Sequence, residues 1–250
     1  MPTREIVVCQ DRETLARAAA QFVLGEVERK ESGRFLLALS GGTTPARLYD
    51  ILAETPSAGE LLSSLCELFF SDERPVGPDH FDSNYRTAQS HLFEPLRIDE
   101  RIIHRMRGES KDLYAEAGRY ASLIREKAGV AADAIPRLDL TILGMGPDGH
   151  TSSLFPGYDF ESENDLVVAP FVPALKTHRL SFGLRLINAS RAVLVLVSGE
   201  EKAAMVKKVL DKSIVERELP ASRVAAERTV WMLDTAAAGK LDWTGPVLGL

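Results

Sequence analysis

Hydrophobic and polar positions along this chain follow two alternating rhythms. Short β-branched and aromatic runs predict strands at Glu5–Cys9, Arg34–Ser40, Glu67–Ser71, Leu138–Leu143, Leu166–Ala169, Arg191–Val197 and Thr229–Leu233. Longer amphipathic runs predict helices at Arg12–Arg29, Pro45–Ala53, Asn84–Phe93, Lys111–Ala128, Glu200–Leu210 and Asp234–Ala238. In the first of these, Leu15, Ala18, Ala19, Phe22, Val23 and Val27 fall on one stripe, the spacing a helix needs to lie against a sheet. Ala192–Val197 reads Ala-Val-Leu-Val-Leu-Val with no polar alternate, which suits a strand covered on both faces. Strands alternating with such helices predict an α/β fold, a doubly wound and mostly parallel Rossmann-like sheet with helices on both faces. No linker composition or fixed-period repeat divides the chain, so residues 1–250 read as a single domain. Asp72–Ser83 and Phe155–Thr177 are irregular and rich in Pro and Gly, and are expected to be long functional loops.

Composition narrows the partners. Thirty basic against thirty-six acidic residues leave a net charge of −6, which argues against a general nucleic-acid binder. The longest uncharged run, Phe35–Ala46, has twelve residues and is too short to span a bilayer. Met1–Glu5 carries no apolar signal region, so a cytoplasmic protein with no membrane partner is expected. Cys9 and Cys66 lie in apolar segments and read as buried thiols in a reducing compartment.

In parallel sheets ligands bind beyond the carboxyl ends of the strands, so the segments after each strand hold the candidate chemistry. The first is Ser40-Gly-Gly-Thr-Thr-Pro45. Its glycines permit positive φ and close backbone approach. Thr44 is the expected N-cap and Pro45 the expected first helical residue, so the helix would aim free N–H groups at an anion. No Lys-Ser/Thr follows, so this is not a Walker loop. The bland alternative is an ordinary capped strand-to-helix turn. The second segment, Ser71-Asp-Glu-Arg74 with Ser83-Asn-Tyr-Arg86, sets two carboxylates beside a guanidinium able to stabilise developing negative charge, with Ser83 as an N-cap. Asp79, His80 and Asp82 within it read as a solvated loop rather than a metal cluster, because no two histidines in the chain have a ligand spacing.

The third segment runs from Leu143 to Gly157 and contains a formal G-x-G-x-x-G at Gly144, Gly146 and Gly149. Dinucleotide binding is rejected because Asp148 would face the pyrophosphate and no acidic residue follows a second strand at the ribose distance. The glycines instead predict a sharp turn that presents Asp148 and His150 at the sheet edge. His150 is the best placed of the five histidines to move protons.

Together these segments resemble the glucosamine-6-phosphate isomerase/6-phosphogluconolactonase family, and its lactonase branch in particular. Weaker matches follow at His178-Arg179-Leu180-Ser181, at Ser198-Gly199 with Lys202, and at Leu233-Asp234, all in family order. Ser152 and Ser181 depart mildly from the family, which often has Ala and Thr there. The resemblance implies a metal-free, cofactor-free hydrolase of 6-phosphoglucono-δ-lactone, a monomer or small homo-oligomer whose partner is the small sugar-phosphate lactone. It makes His150 the general base, Arg74 the matching cation, and Asp148 a residue able to orient the imidazole. It sets the phosphate at Gly41, Gly42, Thr43 and Thr44 with Arg179 and Lys202. Lys202 is expected in a first helical turn, where a cation opposes the dipole unless an anion is bound.

Three rivals have distinguishable marks. A glucosamine-6-phosphate deaminase-like isomerase shares the glycine turns, but that branch carries Tyr where Arg74 stands and Glu where Phe155 stands. A serine esterase would use Ser40 or Ser152, but no Gly-x-Ser-x-Gly elbow is present. A non-catalytic sugar-phosphate sensor would keep the anion turn without needing His150.

Overall fold

The computed structural model describes residues 2–159, 165–211 and 219–249. Its strands begin with β1 (Thr3–Cys9), β2 (Phe35–Leu39), β3 (Cys66–Phe70), β4 (Asp72–Glu73), β5 (Leu140–Gly144) and β6 (Val167–Val168). They continue with β7 (Phe171–Val172), β8 (Thr177–His178), β9 (Leu180–Phe182), β10 (Ala192–Val197), β11 (Arg228–Asp234) and β12 (Val247–Leu248). The helices begin with α1 (Arg12–Glu28), α2 (Thr43–Glu54), α3 (Ala58–Leu65), α4 (Asn84–Ala88) and α5 (Glu94–Leu96). They end with α6 (Leu113–Ala128), α7 (Leu184–Ala189), α8 (Ala203–Leu210) and α9 (Thr235–Ala238). No helix among the described residues is long and apolar enough to cross a membrane.

Seven strands form the central sheet in the order β12-β1-β11-β10-β5-β2-β3, and every neighbouring pair is parallel. Side chains alternate cleanly between its faces. Phe35, Leu37, Leu39, Leu194, Leu196 and Met232 join one buried cluster with Leu15, Leu48 and Leu62 of α1, α2 and α3. Leu36, Ala38, Val193, Val195, Trp231 and Leu233 join the other, with Tyr120, Leu186, Val206 and Ala237 of α6, α7, α8 and α9. Both faces are therefore covered, which is why β10 needs no polar alternate.

The strand order reverses between β2 and β5. From β2 the chain crosses outward to β3, whereas from β5 it crosses the other way to β10 and β11. Only Leu37↔Leu140 and Ala38↔Thr141 pair across this junction, so the loops beyond the two strands diverge and leave a crevice.

Two buried tyrosines fasten the strand ends beside that crevice. The Tyr49 hydroxyl on α2 donates to the Ser40 carbonyl at 2.6 Å and accepts from the Ser40 N–H at 3.0 Å, which ends β2 where no strand partner continues. The Tyr120 hydroxyl on α6 donates to the His104 carbonyl at 2.6 Å and accepts from the Phe70 N–H at 2.9 Å at the end of β3. Each phenol is fully buried, and burial pushes its ionisation far above the ordinary value, so it stays a neutral donor and acceptor.

Several local expectations are corrected. Leu166–Ala169 is not a central strand: β6 pairs antiparallel with β9 in a separate sheet, β4-β9-β6. Its apolar run is needed because it packs into the α6 side of the core, not because two sheet faces cover it. Helix α2 begins at Thr43 with Gly42 as its cap, so Thr44 and Pro45 are its second and third residues. Gly42, at φ +101°, makes the sharp entry that a threonine cap could not. Lys202 closes a short 3-10 turn (Glu200–Lys202) and caps α8 rather than lying inside it. The amphipathic run from Asn84 divides, α4 being followed by a π-helical turn at Gln89–Phe93. Helices α3 and α7 and the edge strand β12 were not anticipated. Cys9 and Cys66 are buried, and burial pushes their thiols up to about 11 and about 12. Residues 160–164 of the anticipated Phe155–Thr177 loop lie outside the described residues.

Removing either tyrosine hydroxyl leaves a buried peptide group short of a partner. Tyr49→Phe and Tyr120→Phe should each lower unfolding free energy by about 1–3 kcal/mol in urea melts at constant slope. Melts matching the parent would show that these phenols do not anchor the strand ends.

Candidate active site

Loops at the carboxyl ends of β2, β3, β5 and β10 enclose a cleft of about 440 Å³. That size lies within the range of roughly 300–1,000 Å³ usual for small-molecule sites. Gly41, Gly42, Thr43, Thr44, Arg74, His150, Arg179 and Lys202 all line it, so eight of the nine anticipated site residues share one cavity. The ninth, Asp148, stands behind the imidazole.

At one end, α2 starts without any side-chain cap. Its first intrahelical bond runs from the Ala46 N–H to the Gly42 carbonyl, and Pro45 has no N–H to satisfy. The free N–H groups of this first turn and the positive end of a twelve-residue helix therefore face the cleft. The Lys202 amine adds positive charge there. It has no ion-pair partner among the described residues, and burial, opposed by Glu201 and Asp234, holds it below the ordinary lysine range. The preceding turn is tied down, since Ser198 Oγ donates to Asp234 Oδ2 at 2.5 Å and the Gly199 N–H donates to the same carboxylate. Arg12, which sequence reasoning missed, donates to the Thr43 carbonyl at the same helix end. Its only sequence signal was a position just after β1.

The loop after β5 is a tight turn. The Gly146 N–H donates to the His150 carbonyl at 2.9 Å and the Gly149 N–H to the Gly146 carbonyl at 3.1 Å. Gly149 holds φ +83°. A Cβ at Gly146 would stand 2.1 Å from the His150 ring and 2.7 Å from Asp148 Oδ1. Two of the three glycines in the formal dinucleotide pattern are thus explained by the turn, one by backbone conformation and one by the space the side chains need.

Within that space His150 Nδ1 and Asp148 Oδ1 are 2.5 Å apart. A carboxylate oxygen accepts, so Nδ1 carries the ring proton and Nε2 of the neutral imidazole keeps its lone pair. Phe155 stacks on the ring with centroids 4.3 Å apart and planes 27° apart, fixing its other face. No serine hydroxyl is hydrogen-bonded to His150 among the described residues. Ser152 Oγ instead donates to the Ser71 carbonyl at 2.7 Å and accepts from Ser181 Oγ at 3.0 Å. The two departures from the family pattern therefore touch each other, and their bonds hold Ser152 at φ +52°.

The loop after β3 divides its charges. Glu73 turns inward, accepting from the N–H groups of Arg74, Asn84 and Tyr85 and from Ser83 Oγ at 2.7–3.0 Å. Burial pushes its carboxyl above the ordinary range, against those four donors. Glu73 holds the loop and leaves Asp72 and Arg74 to face the cleft. Arg74 donates to the Asp82 carbonyl. The antiparallel register of β4 and β9, Asp72↔Ser181 and Glu73↔Leu180, brings Arg179 opposite Arg74. Burial and the neighbouring Arg74 charge hold Arg179 below its ordinary value, so an anion between the two would relieve both. Asp72, Asn84 and Ser153 also line the cleft and were missed, because their burial is set by tertiary packing. His80 Nδ1 accepts from the Asp82 N–H at 3.1 Å, and no group of three metal-ligating side chains gathers among the described residues.

A family model described as glucosamine-6-phosphate isomerases/6-phosphogluconolactonase matches residues 10–231. The 6-phosphogluconolactonase of Rattus norvegicus is 36% identical over 234 residues, covering 92% of this chain and 89% of the relative. The solved structure of 6-phosphogluconolactonase from Trypanosoma cruzi superposes with a TM-score of 0.83 at 29% identity, covering 96% of this chain and 98% of that one. A monomeric glucosamine-6-phosphate deaminase superposes with a TM-score of 0.78 at 25% identity, covering 94% and 99%. The chain belongs to the glucosamine-6-phosphate isomerase/6-phosphogluconolactonase family.

Proposed function

We propose that this chain, acting as one domain over residues 1–250 in the cytoplasm, hydrolyses 6-phospho-D-glucono-1,5-lactone to 6-phosphogluconate. One observation carries the reading: an imidazole with its Nε2 lone pair free and an uncapped helix N-terminus line the same cleft. A ligand with an electrophilic carbon at one end and a dianion at the other uses both. The names of the relatives support the same substrate.

In this mechanism the phosphate lies at Gly41, Gly42, Thr43 and Thr44, and Lys202 and Arg179 supply countercharge. Nε2 of His150 takes a proton as water adds to the lactone carbonyl carbon. The carbonyl oxygen becomes an oxyanion that Arg74 stabilises, while Asp148 steadies the imidazolium. Collapse breaks the bond from that carbon to the ring oxygen, and the imidazolium returns its proton to the departing hydroxyl. The released carboxylic acid then ionises, so the histidine ends as it began. The step requires no acyl-enzyme.

The isomerase reading is disfavoured by Phe155, which stacks on the imidazole and stands at the sequence position where that branch carries a glutamate. The esterase reading lacks a serine hydrogen-bonded to a histidine among the described residues.

His150→Ala should lower kcat about 10²–10⁴-fold while 6-phosphogluconate still binds, measured in a coupled assay corrected for spontaneous ring opening. An unchanged kcat would remove His150 as the base. Lys202→Ala should raise KM for the phosphorylated lactone about 10–100-fold and leave hydrolysis of unphosphorylated glucono-1,5-lactone nearly untouched. Equal losses on both lactones would contradict a phosphate role.

A further inference from the structure

Asn84 is 1% exposed, lines the cleft, and begins α4. Its Nδ2 donates to the Asp72 carbonyl at 2.9 Å and to Asp72 Oδ1 at 3.1 Å. Turning the amide over would set oxygen against both acceptors, so its orientation is determined. Its backbone N–H is taken by Glu73 Oε1 at 2.7 Å, which fixes the residue from behind. What remains is Oδ1, which is buried and has no hydrogen-bond donor among the described residues. A buried acceptor left without a donor costs about 1–3 kcal/mol and calls for an explanation.

Gly41 supplies it. A Cβ at that position would stand 1.7 Å from Asn84 Oδ1, 2.3 Å from its Cγ and 2.8 Å from its Nδ2. Gly41 is absent from the positive-φ glycines, whereas Gly42 is among them. The two glycines of the bend therefore answer different demands. Gly42 is required by backbone conformation, and Gly41 by the room that the amide of Asn84 takes.

The contact continues across the cleft. Asp72 Oδ2 accepts from Ser153 Oγ at 2.7 Å, and Ser153 belongs to the same loop as His150. A short chain of side chains, Asn84 to Asp72 to Ser153, thus joins the anion bend to the loop that carries the imidazole.

We propose that Asn84 is a positioning residue that sets the span between the double-glycine bend and His150, by seating its amide against Gly41 while gripping Asp72. This rests on the lactonase reading, in which one ligand must reach both ends. The amide holds the lactone carbon at the attack distance from the His150 water while the phosphate stays at α2. Misplacement of about 1 Å can cost roughly 10²-fold in rate.

The test is a double-mutant cycle. Gly41→Ala should lower kcat/KM about 10²-fold, mainly through kcat, because the methyl displaces the amide. Asn84→Ala removes the three nearest atoms that the methyl would meet, all of them closer than 3 Å, so Gly41→Ala/Asn84→Ala should lose no more than Asn84→Ala alone. Losses that multiply, or that fall on KM alone, would overturn the proposal. Should Asn84→Ala fail to fold, the isosteric Asn84→Asp carries the test. It places a carboxylate against Asp72, so a shared proton holds the pair at low pH and is lost as pH rises. Its kcat/KM relative to the parent should fall with rising pH, and a constant ratio would overturn the role. The parent's own turnover tests the lactonase reading separately. If the parent proved inactive, the cycle would be read in thermal midpoints, where non-additivity is again expected and additivity overturns the contact.

Discussion

The chemistry proposed for this cleft depends on one hydrogen bond, the 2.5 Å contact between Asp148 and Nδ1 of His150. It forms across a turn that requires residue 146 to have no Cβ, since a methyl there would overlap the imidazole and crowd the carboxylate. That bond decides which ring nitrogen is protonated, and hence that the lone pair is on Nε2. Phe155 stacked on the ring removes the remaining rotational freedom. A histidine in a flexible loop would sample both tautomers and many orientations. Here the Asp148 contact and the Phe155 stack restrain the ring before any ligand arrives, the positioning that the proposed base needs.

The sheet explains why such a loop stands opposite the candidate anion site. Fully parallel strands covered on both faces leave the carboxyl edge as the place where loops from several strands converge. Here the reversal of strand order falls between β2 and β5, so the bend after β2 and the turn after β5 become the two walls of one crevice. Buried phenols fasten the bend after β2 and the neighbouring end of β3. Tyr49 and Tyr120 replace strand partners where the sheet stops, and prevent the loops from inheriting the fraying of an open edge.

Much of this was legible in the sequence. The unbroken apolar run of β10 showed a doubly covered sheet, and the Gly-Gly-Thr-Thr and Asp-Gly-His turns located both walls of the cleft. The errors have a common cause. Leu166–Ala169 was misplaced because an apolar run does not say which layer it enters, and here it joins a small antiparallel sheet. The cap of α2 was misjudged because Gly42's positive φ outweighs a threonine's hydroxyl at that corner. Glu73, Asn84 and Arg12 could not be sorted into structural and ligand-facing groups from spacing alone. Glu73 and Asp72 are adjacent in sequence, yet one caps a helix and the other faces the cleft, an outcome decided by strand pleat and by the return of α4.

Positive charge is unevenly answered within the cleft. Arg74 and Arg179 face each other in register, and Lys202 stands without a carboxylate partner among the described residues. Like charges held together are costly, and an anion between them adds to what Asp72, Asp82 and Glu73 already offset. The most direct measurement is therefore a crystal structure with 6-phosphogluconate bound. The account predicts the phosphate on the N–H groups of Thr43 and Thr44 beside Lys202, and the carboxylate carbon within one water's reach of His150 Nε2. A phosphate bound elsewhere, or a carboxylate remote from the imidazole, would contradict it.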